Sequence, residues 1–391
     1  MKNRARWYEV GMPPSDLTWE GLRELAVFRA ENGCAISLYV SLDPSEVPTA
    51  GDIAARINGL LSNGEHDLGQ RRELVQEQRS GLRADFARLR DYFANDFDRA
   101  GAHGAAVFLA GLDNVFRPLL LSEAVPDTIK VGPAFHLAPL VPLVGRADGA
   151  IVAVVGREAG HLYRLSSGRL HELADRSEDV PGRHDQGGRS QARFQRSIDE
   201  QARSHLRDVA DELARQVRRF RADAVVVVGA EDTRAEFLDL LSGDVRSAVV
   251  GVTQAEAHAG PAELFEAAAP VLEQVRSERE RASLARWREE ASRGGRAAAG
   301  WDETLEAASD GRVDLLLYNE GVSRSAYQCP HCGRAATHDG SCPLDGTAME
   351  CCEDAIDLAI HQTLAHGGAV LAVAANRDLE PVEGIGALLR Y

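Results

Sequence analysis

FQRSIDEQARSHLRDVADELARQVRRFRADAVVVVGA, residues 194–230, carries the reading of the fold. In its first part Phe194, Ile198, Ala202, Leu206, Val209, Leu213, Val217 and Phe220 recur at steps of three or four, which stacks them on one face of a helix. It ends in ADAVVVVGA, an uninterrupted β-branched run that predicts a strand buried on both faces of a sheet. Just upstream, IVAVVG and HLYRL read as a hairpin continued by GRLHEL. Just downstream come a helix from Thr233 to Leu241 and the strand AVVGV. Strands alternating with helices define an α/β unit.

The flanks repeat that alternation. Towards the N-terminus, CAISLYVSL (34–42) reads as a strand followed by a helix. A longer helix presents Leu74, Leu82, Phe86, Leu89, Phe93 and Phe97 on one face. GAAVFLAG and VFRPLLL are further strands. GPAFHLAPLVPLVG (132–145) reads as a boundary, because Pro133, Pro139 and Pro142 cannot continue a helix or a central strand. Towards the C-terminus, a helix from Pro261 to Glu290 carries the stripe Leu264, Ala268, Val271, Leu272 and Val275. The break RGGRAAAG follows, then a helix, the strand VDLLLYNE, a cysteine cluster, a helix from Glu353 to Ala365, the strand AVLAVAA and the ending GIGALLRY. The fold class expected is mixed α/β. For 391 residues the division expected is 1–145, 146–260 and 261–391, the last with a small metal knuckle inserted at about 326–352.

Sixty acidic residues against 44 basic ones give a net charge of −16. That argues against coating nucleic acid through bulk charge, while leaving room for a local basic patch. Lys2 and Lys130 are the only lysines and the other 42 bases are arginine. A planar fork for phosphate and a genome-wide compositional bias both account for this. No stretch approaches the roughly 20 apolar residues of a membrane span, and MKNRARWYEVGMPPSD lacks the apolar core of a signal peptide. No Walker loop is present, so the chain is not itself a GTPase. Cys34 stands alone, while the other five cysteines fall between 329 and 352, as suits a metal in a reducing compartment. A soluble cytoplasmic protein is expected, with no membrane partner and no small-molecule substrate.

Two segments carry chemistry. Cys329-Pro-His-Cys332-Gly has the frame of a zinc knuckle, in which two thiolates grip one ion and the glycine permits the tight turn. Cys342-Pro-Leu-Asp345-Gly repeats the frame with a carboxylate in the last ligand position. A structural zinc held by Cys329, Cys332, Cys342 and Asp345 is therefore expected, with Cys351, Cys352 or His338 as alternative fourth ligands. The other segment is His184-Asp-Gln-Gly187-Gly188-Arg189-Ser190, with Arg193, Arg196 and Arg203 in the helix behind it. Ser190 is placed to cap that helix. From Arg183 to Arg221 ten arginines face six acids, a composition that suits either contact with an RNA backbone or a solvated helix face.

GGRSQARFQR resembles the signature loop of the archaeal and eukaryotic class-I release factors, where Gly-Gly-Gln-Ser precedes an Ala/Leu-Arg-Phe-x-Arg helix start. PTAGDIAARINGL (48–60) is similar to that family's codon-recognition segment, Thr-Ala-Ser-Asn-Ile-Lys-Ser-Arg-Val-Asn. VDLLLYNE, the cysteine motif and GIGALLRY resemble the third domain in order and position. Pelota-type rescue proteins share the plan without the glycine loop, and bacterial relatives such as the hibernation factor Balon are the nearest comparison. The resemblance implies a three-domain translation factor of the 70S ribosome. Asp52, Ile53, Arg56 and Asn58 would lie on the decoding side. Arg183, Gly187, Gly188, Arg189, Ser190, Arg193, Arg196 and Arg203 would meet rRNA near the peptidyl transferase centre. A translational GTPase, such as elongation factor Tu, would deliver it.

The departures from the family bear on mechanism. Asp52-Ile53-Ala54-Ala55 replaces Asn-Ile-Lys-Ser, so stop-codon reading is not expected. Arg189 replaces the glutamine that helps place the attacking water; arginine offers donors and no acceptor. Its backbone N–H could still stabilise charge at an ester. The reading reached is an A-site factor that protects idle or stalled ribosomes. The alternatives are a codon-independent peptidyl-tRNA hydrolase and a zinc-stabilised adaptor with no ribosomal role.

Overall fold

The computed structural model describes residues 17–70, 74–99, 101–144, 149–166, 169–176, 191–255, 259–374 and 377–391. The chain packs as two compact units, one of residues 1–145 with 280–391 and one of residues 146–279.

In chain order the first part comprises α1 (Trp19–Val27), β1 (Ala35–Ser41), α2 (Ala50–Gln70), α3 (Gln76–Asn95), β2 (Gly104–Ala110), β3 (Val115–Leu121), β4 (Thr128–Gly132) and α4 (Val141–Val144). Its antiparallel sheet has the order β3-β2-β1-β4. Every residue of β1 and β2 is buried, because each strand is covered on both faces. One face, with Ile36, Leu38 and Val107, packs on Ile53, Ile57, Leu61, Phe86 and Leu89 of α2 and α3. The other, with Tyr39 and Phe108, faces Phe135, Leu140 and Val141, and joins one core with Trp301, Leu316 and Ile360 from far along the chain.

The Pro-rich stretch 132–144 contributes to the core: Phe135, Leu137, Leu140, Val141 and Val144 are all buried. Pro139 is the second residue of a 3-10 turn (Ala138–Leu140) and Pro142 the second residue of α4. In a first turn the missing N–H removes no intrahelical bond.

The second unit comprises β5 (Ile151–Val155), β6 (Gly160–Ser166), β7 (Arg169–Asp175), α5 (Gln191–Phe220), β8 (Val225–Val228), α6 (Glu231–Leu240), α7 (Gly243–Ala248), β9 (Val249–Thr253) and the start of α8 (Pro261–Ser292). Its sheet order is β7-β6-β5-β8-β9. β5, β6 and β7 form the antiparallel meander expected, while β5-β8-β9 run parallel. The four valines of β8 are fully buried: Val225 and Val227 face Leu206, Val209 and Leu213 of α5, whereas Val226 and Val228 face Leu264, Ala268 and Leu272 of α8.

The last part contains β10 (Ala297–Ala299), α9 (Gly300–Ser309), β11 (Val313–Asn319), β12 (Ala326–Gln328), β13 (Ala335–Ala336), β14 (Glu350–Cys352), α10 (Ala355–Ala365), β15 (Ala369–Val373) and β16 (Ile385–Leu389). The main sheet runs β10-β16-β11-β15, with β11 parallel to β15 and antiparallel to β16. Trp287, near the end of α8, donates from Nε1 to Ala298 O at 3.0 Å and lies flush against Gly386, where any Cβ would enter its ring. Between β11 and α10, the small sheet β13-β12-β14 carries the cysteine motif.

Candidate functional site

The two cysteine turns have the same backbone design. In the first, Gly333 N–H donates to Cys329 O at 2.9 Å and Cys329 N–H to Arg334 O at 2.8 Å. In the second, Gly346 N–H donates to Cys342 O and Cys342 N–H to Thr347 O, both at 2.8 Å. Gly333 and Gly346 adopt φ of +79° and +74°, the left-handed region in which a Cβ is strained.

These turns bring Cys329, Cys332, Cys342 and Asp345 together, with ligand atoms all within 4.8 Å of one another. The Cys332 and Cys342 sulfurs are 3.5 Å apart, and Cys329 Sγ lies 3.6 and 3.7 Å from the Asp345 oxygens. A tetrahedron with zinc–sulfur bonds of about 2.3 Å has edges of about 3.8 Å, so spacing and donor chemistry both fit a closed four-ligand site. Cys351, Cys352 and His338, the alternative fourth ligands, are outside this group among the described residues. The two cysteines are on β14, paired with Tyr327 and Ala326 of β12.

Sequence reasoning missed His331, whose Nδ1 is 2.8 Å from Asp345 Oδ2. The Thr347 N–H and then His331 hold the Asp345 carboxyl well below the usual range, and Asp345 raises His331 in return. Such a partner orients a ligating carboxylate. The Cys332 N–H likewise pulls the Cys329 thiol downward. The signal for His331 was its place inside Cys-x-His-Cys.

On the side matched to codon recognition, Asp52 closes the start of α2. Its Oδ2 accepts from Thr49 N–H at 3.1 Å and Thr49 Oγ1 at 2.6 Å, while Asp52 N–H donates back to Thr49 Oγ1 at 3.2 Å. That is a reciprocal cap. Ile53 is buried in the core with Phe86 and Leu89. Arg56 pairs with Glu46 at 2.8 Å and Asp127 at 3.4 Å. Asn58 is exposed.

Arg183, Gly187, Gly188, Arg189 and Ser190 lie outside the described residues, as do the side chains of Arg193 and Arg196 on α5. Farther along α5, Arg203 lies 3.9 Å from Glu236, Arg207 3.6 Å from Glu200 and Arg218 3.5 Å from Asp244. Exposed pairs of this kind are worth roughly 0–1 kcal/mol, so a phosphate can compete for these guanidinium groups.

The strand that precedes the glycine segment is fixed to α5 through a group that periodicity concealed. Arg176, just after β7, reaches Glu212 at 2.5 Å. Glu212 is buried, and it also accepts from Arg215 and from Gln216 at 2.7 Å. Arg215 first, then Arg176 and Gln216, overcome burial and pull the Glu212 carboxyl down to about 2. Nearer the start of the helix, Arg157 of the β5–β6 turn meets Asp199 at 2.6 Å. From Asp199 back to Gln191 the helix runs on for about 12 Å at 1.5 Å per residue, towards the glycine segment.

Residues 136–273 match the model of Bacterial archaeo-eukaryotic release factor family 10. The chain is 30% identical over 207 residues to peptide chain release factor subunit 1 of Methanopyrus kandleri, covering 51% of this chain and 50% of that protein. With the Archaeoglobus fulgidus protein of the same name it is 25% identical over 338 residues, covering 80% and 78%. Among solved structures, an archaeal translation termination factor aligns over 97% of this chain and 99% of its own, at 15% identity and a TM-score of 0.26. Archaeoglobus fulgidus Pelota aligns over 98% of each chain at 14% identity and a TM-score of 0.32. The chain is thus similar to archaeal peptide chain release factor subunit 1 over half or more of its length.

Proposed function

We propose that this protein is a ribosome-binding translation factor that occupies the A site of idle or stalled 70S ribosomes and protects them without reading stop codons. The release-factor relationship supports a translational role. The observation that carries the finer reading is the fate of the codon-recognition positions. Asp52 is taken up by the Thr49 cap, Ile53 by the core and Arg56 by two carboxylates, and the family's lysine is absent. In this reading 1–145 faces the small subunit. Segment 146–260 extends Gly187, Gly188, Arg189 and the α5 arginines towards rRNA near the peptidyl transferase centre. Segment 261–391 meets a delivering GTPase, with elongation factor Tu the candidate. The protein then works in the cytoplasm. A zinc ion held by Cys329, Cys332, Cys342 and Asp345 would supply structural cross-linking and no reaction.

Co-sedimentation with vacant 70S ribosomes across a salt series tests this. Retention that weakens steeply with salt and competes with A-site tRNA is expected, and Arg189→Ala should reduce it. Free protein at every salt, with and without the GTPase, overturns the proposal and leaves a zinc-stabilised adaptor. The retained Gly187-Gly188 favours one second reading, codon-independent peptidyl-tRNA hydrolysis. Peptide release from stalled complexes, slowed by Gly188→Ala, would establish it.

A further inference from the structure

Within the unit formed by residues 1–145 and 280–391, a cluster of buried charges joins the turn after β4 to α10. His361, 9% exposed, faces two backbone carbonyls. Its Nδ1 is 2.9 Å from Ala26 O and its Nε2 is 2.5 Å from Phe135 O. A carbonyl only accepts, so both contacts are hydrogen bonds at once only when both ring nitrogens carry hydrogen, as in the imidazolium.

The counter-charge is one turn away. Asp357 Oδ2 lies 3.6 Å from His361 Nε2. Asp357 Oδ1 accepts the N–H groups of Leu137 and Ala138 at 2.7 and 3.0 Å and lies 3.3 Å from His136 Nδ1. Asp354 Oδ2 is 3.7 Å from the same nitrogen. His136 is tied into the sheet through its backbone: its N–H donates to Ser37 Oγ at 2.8 Å, and its carbonyl accepts from the Tyr39 hydroxyl. Lys130 and Glu353 pair at 3.4 Å beside the cluster. From β11 and the residue after it, Tyr318 and Glu320 interact with each other, and Tyr318 with Asp354 and Asp357.

We propose that this cluster is an acid-tightened clasp, in which His136 and His361 hold residues 17–144 against 280–391 and the joint loosens as His136 loses its charge with rising pH. Ionisation of His136 agrees in sign. Burial and Lys130 oppose its charge, but the Asp357 bond and the two carboxylates outweigh them and raise it above its ordinary value. A raised histidine contributes stability that is complete below about pH 6.5 and is lost as pH climbs through the raised value. Asp357 moves the other way. Burial works against its charge, yet the two histidines and the backbone donors keep it low, so it stays anionic until strong acid. A His361 ring carrying a single N–H would leave one of its two carbonyls facing a lone pair, which costs roughly one buried hydrogen bond.

Amide hydrogen exchange of the full chain at about pH 6 and about pH 8, corrected for intrinsic rates, reads the clasp through local opening. The amides of Leu137, Ala138 and residues 355–361 should lose about tenfold in protection at the higher pH, the equivalent of one such bond. Those of β8 should not. His361→Gln and His136→Gln should flatten the difference. Because either variant could perturb folding, imidazole 15N shifts of histidine-labelled wild type supply a second test: both His361 nitrogens should be protonated at about pH 6. Equal protection at the two pH values, or a neutral His361 ring at the lower one, overturns the proposal. Both readouts use the protein alone, so their outcome is separate from that of the ribosome experiment.

Discussion

Replacing Glu212 by glutamine removes a charge while keeping the shape. The carboxyl titrates at about 2 in the folded chain and near 4.5 when unfolded. That gap of roughly 2.5 units corresponds to about 3.4 kcal/mol at 1.36 kcal/mol per unit. Both partner arginines are about half exposed, and solvent screening reduces the figure to about 2 kcal/mol. The sign is that of a depressed acid. The contribution is present above about pH 4.5 and disappears as pH falls towards 2. Trp7, Trp19, Trp287 and Trp301 all fall outside residues 146–279, so tryptophan fluorescence does not report on this unit. Hydrogen exchange of α5 peptides covering residues 202–217 does. At pH 7 Glu212→Gln should lower their protection about thirtyfold, the equivalent of 2 kcal/mol, and it should remove the loss that wild type shows between about pH 4.5 and 2. A variant within about 0.5 kcal/mol of wild type, or one with an unchanged acid slope, would refute the assignment of Glu212 as the anchor of β7 on the helix.

Three further outcomes are expected. Gly160→Ala drives a Cβ into Val209 of α5, and overpacking of this kind costs roughly 1–3 kcal/mol, measurable in the same α5 peptides. Ile53→Ala opens a cavity under α2 and should cost roughly 2–5 kcal/mol by denaturant titration of tryptophan fluorescence, whereas Asn58→Ala should be neutral within about 0.5 kcal/mol. Elemental analysis should find one zinc per chain, lost in Cys342→Ser. Chelation should expose the amides of β12 to β14, because strands of three, two and three residues are too short to persist alone.

The main elements were legible wherever one local rule dominated. The valine run of β8, the α5 periodicity and the alternation through β11, α10, β15 and β16 each follow from periodicity and length. The cysteine turns were legible because the ligands are close in sequence and spaced by the turn itself. What escaped depended on tertiary packing. The prolines at 139 and 142 look like breakers until they are seen in first turns. The histidines at 136 and 361 are scattered in sequence and meet at Asp357 only because the turn after β4 packs against α10. Glu212 is one more polar residue on an amphipathic helix until Arg176, thirty-six positions earlier and just past the end of β7, reaches it. The codon-recognition match identified a segment, but only the coordinates assign Asp52 to a cap and Ile53 to a core.

The strand order β10-β16-β11-β15 also sets a timetable. β16 is an interior strand, and all five of its residues are buried, so this sheet cannot close until residue 389 has been synthesised. The core beneath it includes residues from before position 145, whose apolar face therefore waits for residues synthesised more than 150 positions later. Residues 146–279, by contrast, are contiguous and can complete their sheet as they emerge. The usual order of N-terminal part first is thus inverted: the sheet of residues 146–279 can be finished early, while the core that residues before 145 share with β16 waits for strand residues 385–389.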